Sequence, residues 1–167
     1  ELNQRALTTT KFNFKSEYAE KLNSLGIKTN HPRKDNIKLE DLFVFPHIKQ
    51  LSLHTNISKQ FPKISSEKLL NDEIGLNILY GEDNSGKTIL SYVYQKKLKE
   101  LNYLPININC TDFKNKVQKE DIEKVIRSTF KRQFKTSDSI FREYDKYDRN
   151  KVVLILEDFH KSNGNNE

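Results

Sequence analysis

Gly81-Glu-Asp-Asn-Ser-Gly86-Lys87-Thr88 fits the pattern G-x-x-x-x-G-K-[ST] at every defined position. Such a loop wraps a triphosphate in backbone N–H groups, its Lys reaches the β and γ phosphates, and its Thr hydroxyl holds Mg²⁺. The residues this assigns to the nucleotide are Gly81, Asp83, Asn84, Ser85, Gly86, Lys87 and Thr88, and the cofactors are ATP and Mg²⁺. With only 5 glycines in 167 residues, chance is a poor rival explanation. The competing reading is a Gly-rich turn that merely joins a strand to a helix.

Two carboxylates, Glu157 and Asp158, follow the apolar run Val152-Val-Leu-Ile-Leu156. Ligands of open α/β sheets bind outside the carboxyl ends of the strands, which is where a Mg²⁺ ion and its waters must be held. The pair therefore reads as a Walker B candidate, against the alternative of an exposed acidic pair ending a buried strand. Most such segments place Asp first, whereas here Glu comes first. If the second position polarises the attacking water, Asp158 is the catalytic carboxylate, and Glu157 joins Thr88 in holding the metal. Asp is one methylene shorter than Glu, and a misplacement of about an ångström can cost about a hundredfold in rate, so binding is the firmer expectation than fast hydrolysis.

These side chains need elements to position them. Leu76-Asn-Ile-Leu-Tyr80 reads as a short buried strand entering the loop, and from Lys87 onward Leu90, Val93, Tyr94, Leu98 and Leu101 recur at helical spacing. A helix N-terminus adds its partial positive charge to a phosphate site. Downstream, strand and helix alternate through Pro105–Cys110, a helix from Asp121 to Lys135, a further helix around Ser139–Tyr147, and Val152–Leu156 as a central parallel strand covered on both faces. Upstream, a helix is expected over Ser16–Leu25 with Gly26 as its stop, then a polar linker through Asn30-His-Pro-Arg-Lys-Asp35. The aromatic and aliphatic run Leu39-Glu-Asp-Leu-Phe-Val-Phe-Pro46 either lies against a nucleotide base or docks the N-terminal segment on the core. The chain thus divides into a linker and docking segment over 1–75 and a nucleotide-binding core over 76–167, and the end from Ser162 reads as flexible or cut.

The charge is +6, with 31% charged and 35% hydrophobic residues, so the core must be small or incomplete. Lys124, Arg127, Lys131 and Lys135 form a basic stripe on the predicted Asp121 helix, opposite Ile122, Val125, Ile126, Phe130 and Phe134. The stripe is either a solvated face or a contact for nucleic acid or another acidic partner; no aromatic residue interleaves it. Lys96, Lys97 and Lys99 take the solvated reading. No apolar run approaches the roughly 20 residues of a membrane span, and no signal-peptide core is present, which points to the cytosol. Cys110 stands alone, in agreement with a reducing compartment, and reads as a small buried residue at a strand end. His31, His47, His54 and His160 lack the spacing of a zinc site; His160, two residues past Asp158, is where a γ-phosphate sensor could sit.

Gly81–Thr88 followed by Val152–Asp158, with Leu39–Pro46 upstream and Asp158-Phe-His-Lys161 downstream, resembles the front half of a STAND-type P-loop NTPase, a relative of AAA+ ATPases. The resemblance covers residues 38 to 161. It implies a three-layer α/β P-loop sandwich with a parallel sheet, preceded by a mostly helical or irregular segment. It also implies a nucleotide-dependent switch within a longer multidomain chain that oligomerises when active, as in prokaryotic anti-phage proteins. An AAA+-like ATPase acting on nucleic acid is the alternative, and a small-molecule kinase is a third; neither an acceptor pocket nor a lid is evident for a kinase. In this branch of P-loop folds a later strand is inserted between the loop strand and the Walker B strand, and the sequence ends before it. The expectation is that Leu76–Tyr80 and Val152–Leu156 are separated by about 9–10 Å, twice the normal strand spacing, or pair directly. Direct pairing would place the chain nearer to kinases and GTPases.

Overall fold

The computed structural model describes residues 12–26, 33–34, 37–49, 62–70, 75–113 and 119–161. His31, His54, most of the Asn30–Asp35 linker and the end from Ser162 lie outside the described residues. The elements are α1 (Ser16–Asn23), α2 (Leu39–Leu42), β1 (His47–Lys49), β2 (Lys63–Ser65), α3 (Lys87–Glu100), β3 (Leu104–Asn109), α4 (Lys119–Gln133), α5 (Asp138–Asp145) and β4 (Val152–Glu157). The architecture is mixed α/β, with a small antiparallel sheet and a small parallel one. β1 pairs antiparallel with β2, and β3 pairs parallel with β4 in the register Leu104↔Val152 through Asn109↔Glu157. Among the described residues no helix is long and apolar enough to cross a membrane.

Period two decides which way β3 faces. Leu104, Ile106 and Ile108 point one way into a core with Phe130, Phe134 and Tyr144, against which Val125, Ile126, Ile140 and Phe141 of α4 and α5 also pack. Phe130 stacks on Tyr144 at 4.4 Å between ring centroids and on Phe134 at 5.0 Å. The intervening residue, Asn107, faces α3. The parallel pair is thus helix-covered on both faces at β3, and that cover is what makes two strands viable, since a two-stranded sheet alone is marginal.

Phe12 belongs to this same core and meets Phe130 edge-on at 5.6 Å. Phe14 bridges Phe134, Lys15 N–H donates to the Gln133 carbonyl (2.9 Å), and Lys135 N–H donates to the Asn13 carbonyl (2.8 Å). Residues 12–15 therefore extend this core. α1 then lies on α3, and Gly26, at φ +70°, turns the chain three residues after the helix ends.

The helices at Ser16, Lys87, Asp121 and Ser139 and the strands at Pro105 and Val152 fall within a few residues of their expected bounds. Two expectations are corrected. Leu76–Tyr80 forms no strand: Leu76, Ile78 and Tyr80 are 93, 81 and 91% exposed, and no described strand lies beside them to supply hydrogen bonds. Neither direct pairing with β4 nor a spaced pair of strands is formed. β4, in turn, is not covered on both faces, because Leu154 and Leu156 are 42 and 47% exposed and no described strand pairs with its second edge. Parallel strands reach full burial only when helices cover both faces, and the cover over β3 does not extend across β4.

Candidate functional site

The loop from Gly81 to Gly86 gains its shape from local constraints. Ser85 N–H donates to the Glu82 carbonyl at 3.3 Å, closing a tight turn, and Asn84 within it takes φ +59°, a conformation Asn tolerates better than most residues. A side chain at Gly81 would come within 2.9 Å of Ser85 Oγ, so the turn folds closely over that position. Gly86 caps α3 at φ +85°, a left-handed conformation that favours glycine, and its carbonyl accepts the first helical bond from Leu90 N–H at 2.9 Å.

Lys87 opens the helix and turns back over this loop. Its ammonium donates to the Gly81 carbonyl (2.8 Å), the Glu82 carbonyl (2.6 Å) and Ser85 Oγ (3.3 Å). The loop therefore holds its own cation. These bonds are already charge-assisted on the donor side, and phosphate oxygens would add an opposite charge on the acceptor side. Asp83, Asn84, Ser85, Gly86 and Thr88 are exposed, so the site is open to solvent.

The second acidic element meets this helix. Glu157, the last residue of β4, accepts a very short hydrogen bond at Oε1 from Ser91 Oγ and another from Asn107 Nδ2 at 3.0 Å. Ser91 Oγ also lies 2.8 Å from the carbonyl of Thr88, one helical turn earlier. The carboxylate is thereby brought within one helical turn of Thr88 by a contact between residues 66 positions apart in sequence. Asp158 is placed differently. It sits at φ +54°, its carboxylate pairs with Lys161 at 3.2 Å, and its carbonyl accepts from Lys161 N–H at 2.8 Å. The two acids thus leave β4 in different environments, with Glu157 on α3 and Asp158 in the turn that follows.

Behind Glu157 lies a polar layer that the apolar periodicity did not reveal. Gln133 of α4 pairs with the outer edge of β3 through both halves of its amide, accepting from Asn107 N–H at 3.2 Å and donating to the Asn107 carbonyl at 2.5 Å. It serves there as a neighbouring strand would. One turn beyond Ser91 on α3, Gln95 is fully buried and accepts from the Tyr18 hydroxyl of α1 at 2.7 Å. Burial pushes the Tyr18 phenol well above its ordinary value. The signals available in the sequence for Ser91 and Asn107 were weak ones, a serine one turn after Thr88 and an asparagine between two isoleucines.

The remaining candidates divide. Leu39–Pro46 docks on the far half of α3, where Leu39, Phe43 and Phe45 border a groove of about 190 Å³ with Val93, Lys96 and Glu100. At 1.5 Å per residue that stretch starts roughly 9 Å along the axis from Lys87, away from the loop, so the docking reading fits and the base contact does not. Lys96 reaches Asn23 (2.7 Å) and Glu40 (2.9 Å), and Lys99 lies over the Phe14 ring, so these lysines fasten the N-terminal segment rather than only facing water. Of the basic stripe, Arg127 pairs with Asp145 at 2.6 Å, Lys124 with Asp121 at 3.5 Å, and Lys131 sits over the Phe141 ring, while Lys135 is exposed. His160 is exposed past the turn. Cys110 is buried, and desolvation, with Asp158 and Asp112 nearby, pushes its thiol up.

Among the described residues no group of three His, Cys, Asp or Glu side chains converges to hold a metal. Thr88 and Glu157 present hard oxygen donors of the type Mg²⁺ takes, an ion that usually draws only one or two ligands from protein and the rest from phosphate and water. The donor chemistry fits. No protein-family model matches this chain, and no curated protein or solved structure matches it.

Proposed function

We propose that this chain binds ATP with Mg²⁺ at the Gly81–Thr88 loop and serves as the nucleotide-dependent switch of a STAND-like signalling or defence protein, its parallel sheet being part of a P-loop sandwich. The observation that carries the reading is the contact between Glu157 and the first turns of the helix opened by Lys87 and Thr88. A turn that only joined two elements would not require a carboxylate from β4 against that helix.

In this reading Lys87 would exchange loop carbonyls for phosphate oxygens, and Thr88 and Glu157 would hold the metal, Glu157 from its outer shell. When bound, Mg²⁺ neutralises charge on the phosphates and orients them. Asp158 is the carboxylate that would polarise an attacking water, for which it must leave Lys161. The nucleic-acid alternative is less well supported, since Lys124, Arg127 and Lys131 already have partners within the chain.

The test is an ATP titration by calorimetry with Mg²⁺ and with EDTA. Thr88→Ala and Glu157→Gln are expected to remove most of the gain that Mg²⁺ brings, and Asp158→Asn to retain binding while slowing any hydrolysis. Full ATP affinity and full Mg²⁺ dependence in folded Glu157→Gln would reverse the roles of the two acids.

A further inference from the structure

We propose that Ser91 and Asn107 are positioning residues that fix the Glu157 carboxylate for the metal, an inference that rests on the nucleotide reading above. A glutamate reaching outward from a strand end has three rotatable bonds, one more than aspartate, and its freedom must be removed for it to hold a defined place. Two donors from two different elements do this: Ser91 from α3 and Asn107 from β3. Both bind Oε1, and Oε2 has no partner among the described residues. One oxygen is thus tied to the protein and the other left to a ligand shell.

The proton arithmetic supports this division. Ser91 Oγ lies within reach of both the Thr88 carbonyl and Glu157 but has a single proton. The carboxylate is the stronger acceptor, and the Thr88 carbonyl has its own helical donor four residues on. Asn107 donates to Glu157 at 3.0 Å with its Nδ2 also 3.5 Å from Ser91 Oγ, and Gln133 grips its backbone on the far edge, so the clamp is anchored in the core. Partners that orient a direct metal ligand are typically worth about 10- to 100-fold in metal affinity, and for a carboxylate acting from the outer shell the low end of that range applies.

The measurement is ATP affinity of the full chain by calorimetry, in Mg²⁺ and in EDTA, for the wild type, Ser91→Ala, Ser91→Thr, Asn107→Leu and Glu157→Gln. Ser91→Ala and Asn107→Leu are expected to lose about tenfold of the Mg²⁺-dependent gain, as Glu157→Gln does, with affinity in EDTA little changed. Ser91→Thr, which restores the hydroxyl, is expected to recover it. A merely structural role would lower stability and affect both arms alike. The inference is overturned if folded Ser91→Ala and Asn107→Leu keep the full Mg²⁺ gain while Glu157→Gln loses it. It is also overturned if Ser91→Thr fails to recover what Ser91→Ala loses. A wild-type chain that binds no ATP removes the nucleotide reading itself, and that failure is seen before any variant is compared.

Discussion

Gln95 has no access to water, and its Nε2 has no hydrogen-bond partner among the described residues, while Oε1 depends on the Tyr18 hydroxyl. Tyr18→Phe would leave both ends of a buried amide unpaired, and the expected loss is about 1–3 kcal/mol at neutral pH, measured by urea unfolding. The same hydroxyl makes stability fall in alkali. Folding raises the Tyr18 and Tyr94 phenols, so above about pH 10 the unfolded chain releases protons that the folded chain keeps, and stability declines as pH rises further. Tyr18→Phe should flatten that alkaline decline; an equally steep one would place its source elsewhere. At this scale the turn over Gly81–Gly86 and the helix start at Lys87 were legible from their rigid spacing. Ser91, Asn107, Gln133 and Gln95 were less so, because polar residues inside a buried face weaken the very periodicity by which elements are recognised.

β4 is the element whose surroundings are least complete. Its second edge pairs with no described strand, and Leu154 and Leu156 are substantially exposed beside Phe159, at 69%. A free edge with exposed apolar side chains is a template for another strand. Self-association detected by light scattering or sedimentation is therefore expected to depend on this face, and the double change of Leu154→Lys with Leu156→Lys should reduce it. Association unaffected by the two lysines would point to another surface. Leu76–Tyr80 and Val152–Leu156 differ in outcome, the second forming a strand and the first none. Both are short apolar runs, but a strand exists only through its neighbours, and sequence reports the propensity of a segment without naming what pairs with it. Helices α3, α4 and α5 bond within themselves, so their periodicity sufficed.

At the scale of the whole molecule, a division near residue 75 separates the chain less cleanly than its composition suggests. Phe12 is buried against Phe130 and Tyr147, Phe14 lies on Phe134, and Tyr18 and Asn23 bond α3. The N-terminal aromatics close the core that carries β3, and through Asn107 they bear on the site. Phe12→Ala is expected to cost about 3–5 kcal/mol, a large part of the roughly 5–15 kcal/mol by which domains are stable. Chemical denaturation measures it, and a loss below about 1 kcal/mol would mean this packing contributes little to the fold.

The most direct test of the central claim is calorimetric titration of the chain with ATP and Mg²⁺, for the wild type and for Lys87→Ala. Among the described residues the Lys87 ammonium bonds only its own loop, so the substitution removes the loop's cation without opening the core. The expected result is saturable binding by the wild type and a loss of at least about tenfold, or 1.4 kcal/mol, in Lys87→Ala. Unchanged ATP affinity in a folded Lys87→Ala chain would contradict the account.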